Sequence, residues 1–261
     1  MPAYKNGISI IIPISSADKL PYLENVLLSI DKQSYQGPKE VILSYCVNKS
    51  QFDKTDFAVV AGFGAAHGVK TTKLTFYGTP LYSLSLGRNA GVRKSSYKVI
   101  GFLDCDLVLD PRLLGYVERY ILRNVTHCVC AHCYRMPFGP SHPIFRELRP
   151  DQFSKNLEHG IKDIHGRGGG CFFIDKRLFE RLGGYDERFY GWGYEDIDML
   201  ERLRKEQIKI AYLVSDNIYA MHQQHPENTW SNEALMNRNK KLVYSTPDTK
   251  RNPHGWGKGI S

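Results

Sequence analysis

The strongest constraint on the fold is a nearly continuous apolar run close to the start of the 261-residue chain, over residues 8–14. Unbroken runs of this kind are typical of strands that are covered on both faces of a parallel sheet. An amphipathic stretch follows, with Asp18 near the predicted helix start and Pro21 in the first turn. Its apolar residues recur at helical spacing, at Leu23, Val26, Leu27 and Ile30. The chain therefore begins with a predicted strand–helix unit.

The same alternation continues through the first half of the chain. Strands are predicted over residues 41–47, 73–77 and 98–103, and a helix over residues 82–94. This alternation indicates an α/β fold with a mostly parallel sheet and helices on both faces. Ligands of such sheets bind beyond the carboxyl ends of the strands, so functional residues are expected directly after them.

The second half is less regular. Helices are predicted over residues 111–123, 176–182 and 195–206, and extended segments over residues 128–134, 171–174 and 208–214. Between them, residues 136–165 form a polar segment with four prolines, which is typical of a functional loop region. We expect one domain over residues 1–246, followed by an irregular basic tail over residues 247–261.

The charge balance favours an anionic partner but does not identify it. The 35 Lys and Arg residues exceed the 27 Asp and Glu residues, which gives a net charge of +8. The basic residues are spread along the chain, and no nucleic-acid-binding motif accompanies them, so we expect no nucleic acid partner. No apolar run approaches the roughly 20 residues of a membrane span, and the first residues lack the apolar core of a signal peptide. A cytoplasmic protein is expected, with at most peripheral contact at the inner membrane face.

A cluster of cysteine and histidine occupies residues 127–133 and raises the question of a metal site. A structural zinc site needs a second ligand pair, and none is evident in the sequence. If the segment is one strand, Cys128 and Cys130 share a face while Cys133 lies on the other. Buried, reduced thiols are the favoured interpretation.

Two acidic residues follow the strand predicted over residues 98–103. Asp104 and Asp106 are two positions apart, so on an extended chain their carboxylates point to the same side. Such a pair is repulsive unless a cation lies between them, and Mg²⁺ or Mn²⁺ with substrate phosphates would suit it. A solvated turn before Pro111 is the alternative.

A second group of functional residue types lies over residues 183–198, where glycines and aromatic residues precede a helix that opens with three acids. Acids at a helix start can simply bind its free N–H groups. That explanation does not cover Trp192, which two glycines bracket as a mobile, sugar-stacking platform would require.

In combination these motifs resemble the GT-A-fold glycosyltransferases. The resemblance rests on Asp104-x-Asp106 and on Gly-Trp-Gly-x-Glu-Asp-x-Asp over residues 191–198. The chain is most similar to the C-terminal module of β-1,4-galactosyltransferases and to bacterial chondroitin-polymerase-like enzymes of the family-two type. Further matches in the right order are residues 11–15, 82–91, 168–170 and 221–222. The resemblance implies a Rossmann-like, mostly parallel central sheet flanked by helices, with a smaller mixed sheet on the acceptor side. It also divides the domain into a nucleotide-binding half, residues 1–110, and an acceptor-binding half, residues 111–246.

The resemblance also implies roles for individual residues. Asp106 and His222 would bind Mn²⁺ or Mg²⁺, with His225 as a competing ligand, and Asp104 would contact the ribose or reach the metal through water. Asp196 would be the general base, with Trp192 and Glu195 holding the acceptor. The nucleotide-sugar would be bound by Pro13, Ile14, Ser15, Asn48, Tyr82, Arg88, Asp104, Cys105, Gly169 and Gly170.

The implied activity is a metal-dependent, inverting transfer from a nucleotide-sugar, with UDP as the nucleotide, to a glycan or lipid-linked glycan. Two departures stand against a full match. The strand over residues 41–47 ends Tyr45-Cys46-Val47-Asn48 where many such enzymes have an Asp pair that reads the base. Ile197 replaces an acid of the galactosyltransferases. A catalytically silent nucleotide-sugar or glycan-binding module of the same fold is therefore the alternative function.

Overall fold

A computed structural model describes residues 4–76, 82–163, 170–191, 193–226 and 233–257. In chain order its strands are β1 (Lys5–Ile14), β2 (Lys39–Asn48), β3 (Lys70–Phe76), β4 (Tyr97–Leu103), β5 (Leu107–Leu109), β6 (Cys128–Cys130), β7 (His132–Arg135), β8 (Ile161–Lys162), β9 (Cys171–Asp175), β10 (Ile210–Tyr212) and β11 (Tyr219–His222). Its α-helices are α1 (Leu20–Asp31), α2 (Lys54–Ala66), α3 (Leu84–Arg93), α4 (Leu113–Val117), α5 (Pro150–Asn156), α6 (Lys176–Arg181), α7 (Glu195–Lys205) and α8 (Glu233–Ser245).

Within these residues the larger sheet has seven strands in the order β10-β6-β9-β4-β1-β2-β3. The pairs β1–β2, β1–β4, β2–β3 and β6–β10 are parallel, while β9 runs antiparallel to β4 and β6. A smaller mixed sheet has the order β5-β11-β7-β8. The expected α/β fold with a mostly parallel large sheet and a smaller mixed sheet is confirmed.

The central strand β1 is buried on both faces, as its apolar run predicts. Ile8, Ile10 and Ile12 pack into a core with α1, while Ile11 faces the second core against α6 and α7. Helix α3 lies close to β1 because Gly91 brings no side chain to the contact, and a Cβ there would collide with Ile11. This close approach carries the polar residues of α3 into the interior.

Two parts of the fold were predicted wrongly from the sequence. Helix α2 was not predicted, because Gly62 and Gly64 interrupt its sequence and its apolar residues do not form a clear stripe. Residues 128–134 are not one strand, since the chain leaves the large sheet after β6 and enters the small sheet at β7. Cys128 and Cys130 therefore pack in the second core and Cys133 against the first. The described cysteines are free thiols, and those of β6 belong to no metal-ligand cluster within the part of the chain that the structure describes.

Candidate active site

A cleft opens at the carboxyl ends of β1 and β4, where sheet topology predicts a ligand site. Eight of its lining residues were singled out as ligands in the sequence. The lining consists of Pro13, Ile14, Ser15, Lys19, Tyr82, Leu84, Asp104, Cys105, Asp106, Gly191 and His225. Six of the ten residues expected to bind the nucleotide-sugar and two candidate metal ligands, Asp106 and His225, thus share a single cavity.

Asp106, His222 and His225 form a metal-ligand cluster at one end of this cleft. Their nearest ligand atoms all lie within 4.8 Å of one another. The Oδ2 atom of Asp106 is 3.2 Å from Nε2 of His225 and 3.8 Å from Nε2 of His222. The Oδ1 atom of Asp106 is buried and has no hydrogen-bond partner. The two histidines are therefore joint candidate ligands, although the sequence presents them as competitors.

The small sheet explains how these ligands meet. Strand β11 pairs antiparallel with β5, and this register sets His222 opposite Leu107, directly after Asp106. The backbone N–H of Gln223 also donates to the carbonyl of Asp106 at 3.0 Å. A turn after β11 then brings His225 back to the same carboxylate.

The pKa shifts of His222 and Asp106 suit a cation. Burial lowers the pKa of His222, which keeps its imidazole neutral and able to bind a metal. The hydrogen bond to Asp106 raises the pKa of His225. Burial alone would raise the pKa of Asp106, but the two histidines outweigh it and lower that pKa below its usual value.

Arg88 lies behind the cleft and joins three carboxylates. Its side chain is 1% exposed, and Nη1 is 2.7 Å from Oδ1 of Asp196 and 3.2 Å from Oε1 of Glu195. Nη2 is 3.1 Å from Oδ1 of Asp104. Its guanidinium also lies over the ring of Tyr185, 5.0 Å from the centroid. The sequence predicts Arg88 as a nucleotide-binding residue. In the structure it instead links Asp104 to Glu195 and Asp196, the two acids that begin α7.

Glu195 and Asp196 differ in their access to solvent. Glu195 is buried, and that burial, with the negative charge of Asp196 beside it, raises its pKa to about 7. Asp196 keeps 23% of its side chain exposed and accepts a hydrogen bond from the hydroxyl of Tyr185 at 3.2 Å. Asp196 is thus the acid of this pair that an incoming hydroxyl can reach.

The turn before α7 is tied to the wall of the cleft. The N–H of Gly191 donates to the carbonyl of Tyr82 at 3.1 Å, and the hydroxyl of Ser83 donates to the carbonyl of Phe189 at 2.9 Å. Gly191 has a φ of 68°, and Tyr194, directly before α7, has a φ of 75° in the left-handed region. A side-chain-bearing residue in that region is uncommon and marks a constrained turn.

Gly170 supports Asp104 from below. Its carbonyl accepts the N–H of Asp104 at 2.9 Å, and its φ is 83°. A Cβ on Gly170 would lie 2.6 Å from Oδ2 of Asp104, so a side chain here would displace that carboxylate. Gly169 and Trp192, the other two expected binding residues of these loops, lie outside the described residues.

Asn48 caps the turn after β2. Its Oδ1 atom accepts hydrogen bonds from the backbone N–H and the hydroxyl of Ser50. It does not line the cleft described above.

Sequence reasoning missed Lys19, Leu84 and Gly191 as lining residues. Lys19 precedes α1, the helix that follows the nucleotide loop, and a cation at that position is a signal for a phosphate group. Leu84 opens α3 and has no residue type that singles it out in the sequence. Gly191 begins the motif over residues 191–198, but the motif alone does not assign it to the cleft.

Comparison with known protein families gives two overlapping matches. Residues 81–183 match the model described as glycosyl transferase family 2. Residues 156–226 match the model described as the N-terminal domain of galactosyltransferase. Together they span the cleft from Tyr82 to His225. The chain contains a glycosyltransferase domain of the GT-A fold.

Curated relatives of this glycosyltransferase domain include two polysaccharide synthases. The chain is 25% identical to a chondroitin synthase of Pasteurella multocida, over 93% of this chain and 28% of that protein. It is also 25% identical to a chondroitin synthase of Escherichia coli, over 85% of this chain and 35% of that protein. The domain thus spans about a third of the length of these relatives.

Solved structures support the fold at low sequence identity. Residues 1–349 of TarS from S. aureus in complex with UDP-GlcNAc align with a TM-score of 0.59 at 15% identity, covering 91% of this chain and 65% of that one. A mannosyltransferase from Pyrobaculum calidifontis in complex with GDP-Man and Mn²⁺ aligns with a TM-score of 0.54 at 14% identity, covering 87% and 59%. Among the described residues, no helix is both long and apolar enough to cross a membrane.

Proposed function

We propose that this protein is a metal-dependent, inverting glycosyltransferase that moves a sugar from a UDP-sugar to a hydroxyl of a glycan acceptor. One observation carries the proposal. Arg88 contacts both Asp104, on the wall of the candidate donor cleft, and Asp196, the accessible acid at the start of α7. A candidate metal site, a nucleotide cleft and a base thus adjoin one another, as a transfer reaction requires.

The donor is proposed to lie in the cleft with its nucleotide against Pro13, Ser15 and Tyr82. UDP is favoured because a structural neighbour, TarS, has been solved with both UDP-GlcNAc and UDP. The diphosphate would reach toward Lys19, whose positive charge favours it, and toward the candidate metal site at Asp106 and His225. Asn48 and Arg88, which lie off the cleft lining, would then act on the donor indirectly.

Asp106, His222 and His225 fit a divalent cation. The evidence is the buried Oδ1 atom of Asp106 without a partner, together with two imidazoles turned toward the same carboxylate. Mg²⁺ is bound mainly through oxygen, so two imidazole nitrogens favour Mn²⁺ over Mg²⁺. When bound, such a cation supplies positive charge against the diphosphate leaving group.

Asp196 is proposed as the general base. An acceptor hydroxyl is a weak nucleophile, and a positioned carboxylate that takes its proton typically contributes roughly 10²–10⁴-fold in rate. Glu195 is buried beside it, and its pKa near 7 leaves it partly protonated at neutral pH. Glu195 would hold the acceptor and the Arg88 contact, and Trp192 would stack on the acceptor sugar. Direct displacement by the activated hydroxyl gives inversion at the anomeric carbon.

The acceptor is proposed to be a glycan or a lipid-linked glycan. The names of the two chondroitin synthases support a glycan. The net charge of +8 supports a peripheral contact with an anionic membrane surface in the cytoplasm.

The test is a binding and turnover screen of the purified chain with UDP-, GDP- and dTDP-sugars in Mn²⁺. A ligand that binds only the native state raises its melting temperature, so UDP-sugars should raise it most, and only when Mn²⁺ is present. UDP release should then follow, with the product anomer identified by NMR. Binding without any turnover or hydrolysis would instead support a catalytically silent binding module, and no response to any nucleotide-sugar would refute both functions.

A further inference from the structure

Residues 247–257, here called the strap, fold back over the loop that leads into α7. The backbone N–H of Arg251 donates to the carbonyl of Leu182 at 2.9 Å. The Nδ2 atom of Asn252 donates to the carbonyls of Gly183 at 2.8 Å and Tyr185 at 2.6 Å. The strap thus donates hydrogen bonds to backbone carbonyls of the glycine turn that follows α6.

The side chain of Arg251 is buried between two acids. Its Nη2 atom lies 2.7 Å from Oδ1 of Asp198, and its Nε atom lies 3.1 Å from Oδ2 of Asp186. Asp198 also pairs with Arg202 at 2.8 Å, one turn further along α7. The exposed fractions of these four side chains are between 1% and 3%. Water does not screen this network, so its geometry is strongly specified.

Asp198 and Asp196 are two positions apart on α7. Residues of a helix are separated by about 100°, so these two acids point to different sides of it. Asp196 faces Arg88, whereas Asp198 faces the strap. The first turn of α7 has no side-chain cap, and Tyr194 before it is in the left-handed region. The Asp198–Arg251 contact is thus a tertiary restraint on the rotation of this helix end.

The far end of the strap reaches the helix that carries Arg88. The ring of Trp256 packs against that of Phe179 with centroids 5.5 Å apart. The backbone carbonyl of Trp256 accepts a hydrogen bond from Nη1 of Arg93 on α3. A Cβ on Gly257 would lie 2.7 Å from the carbonyl of Asn89, the neighbour of Arg88. The strap therefore contacts both α3 and α7, whose side chains meet at the Arg88–Asp196 ion pair.

We propose that Arg251 is a positioning residue, which holds α7 through Asp198 so that Asp196 stays against Arg88. The inference rests on the proposed role of Asp196. Arg251 is remote from the cleft lining and touches neither the donor walls nor the candidate metal ligands. Its loss should therefore change the transfer step and leave nucleotide binding intact.

The test compares Arg251→Ala and Arg251→Lys with Arg188→Ala. Arg188 is the control, because it pairs with the same acid, Asp186, at 2.6 Å and forms no ion pair with α7 among the described residues. Misplacing a catalytic group by about 1 Å can cost about 10²-fold in rate. Arg251→Ala should lower kcat for transfer by about 10–100-fold and leave the dissociation constant of UDP within about twofold. Arg251→Lys should be intermediate, and Arg188→Ala should be near wild type.

Amide hydrogen exchange of peptides covering residues 183–198 gives a readout that does not depend on activity. In Arg251→Ala and Arg251→Lys these amides should exchange faster well below the melting temperature, while β1 and β4 remain protected. Faster exchange in a chain with no transferase activity would uphold the positioning role and refute the proposed function. Wild-type kcat with unchanged exchange in Arg251→Lys, or equal effects of the Arg188 and Arg251 variants, would overturn the inference.

Discussion

The Nη1 atom of Arg88 lies 2.7 Å from Oδ1 of Asp196, although 108 residues separate them in the chain. The same guanidinium reaches Asp104 on the opposite side. The buried guanidinium of Arg88 therefore fixes the position of the proposed base relative to Asp104 of the proposed donor site. A charge in this position also offsets the mutual repulsion of three carboxylates that would otherwise be costly to bury.

Replacing Arg88 by lysine keeps the positive charge but removes the guanidinium, so it tests whether the geometry of the contacts matters. A compact ammonium lacks the planar fork whose two Nη atoms reach carboxylates on different sides, so kcat for transfer should fall by about 10²-fold. Arg88→Met should in addition lower the free energy of unfolding by about 3–5 kcal/mol, since it leaves buried acids without a partner. Steady-state kinetics and urea unfolding measure the two effects. Arg93→Lys, at an exposed position of α3, should change neither, and wild-type turnover in Arg88→Lys would contradict the linking role.

The raised pKa of Glu195 predicts how stability depends on pH. Because the folded protein keeps this proton up to a pKa of about 7, against 4.5 for the free side chain, it binds more protons than the unfolded chain between these values. The free energy of unfolding should therefore decrease from pH 5 to pH 7, by at most about 1.4 kcal/mol per pH unit from this group. Glu195→Gln should reduce that slope in urea unfolding across this range. An unchanged slope would contradict the assignment.

The candidate metal site predicts that each of its three ligands matters. Removal of outer-shell partners alone typically weakens metal binding by about 10–100-fold, so Asp106→Asn, His222→Ala and His225→Ala should each weaken Mn²⁺ binding by at least about tenfold. Isothermal titration calorimetry with Mn²⁺ in the presence of UDP measures this. His142→Ala, at a histidine that stacks on Phe138 outside the cleft, is the control. Wild-type affinity in His225→Ala would leave His222 as the ligand and refute the paired arrangement.

Lys19 should contribute to donor binding through its charge. It lines the cleft beside Asp106 and His225, and loss of one partly exposed ionic contact is worth about 1 kcal/mol, or about fivefold in affinity. Lys19→Met should therefore raise KM for the UDP-sugar about fivefold at low salt and leave kcat unchanged. Lys32→Met, at the other end of α1, should change neither constant. An equal effect of both variants would indicate a general charge effect.

Much of the fold could be predicted because it depends on local pattern. The strand β1 follows from its nearly unbroken apolar run, and the helix with Pro21 in its first turn follows from a periodicity of about 3.6 residues. Helix α2 could not be predicted, since two glycines and scattered apolar residues weaken its pattern. The break between β6 and β7 depends on which sheet each half joins, which is a tertiary property.

The candidate site was predictable by residue type but not by role. Asp104, Asp106 and His225 have side chains whose chemistry indicates a function, and they do line one cleft. Arg88 has the same residue type whether it faces a phosphate or three buried acids, and those acids are 16 to 108 residues away. Arg251 lies in a segment without periodicity, so nothing local reveals that Asp198 is its partner.

The central claim is that Asp196 activates the acceptor hydroxyl and takes no part in binding the nucleotide of the donor. The most direct measurement is UDP release from a UDP-sugar with a glycan acceptor and Mn²⁺, by the wild-type chain and by Asp196→Asn. We expect kcat to fall by about 10²–10⁴-fold with the dissociation constant of UDP unchanged, while Glu201→Gln on the same helix remains near wild type. Near-wild-type turnover in Asp196→Asn would contradict the account.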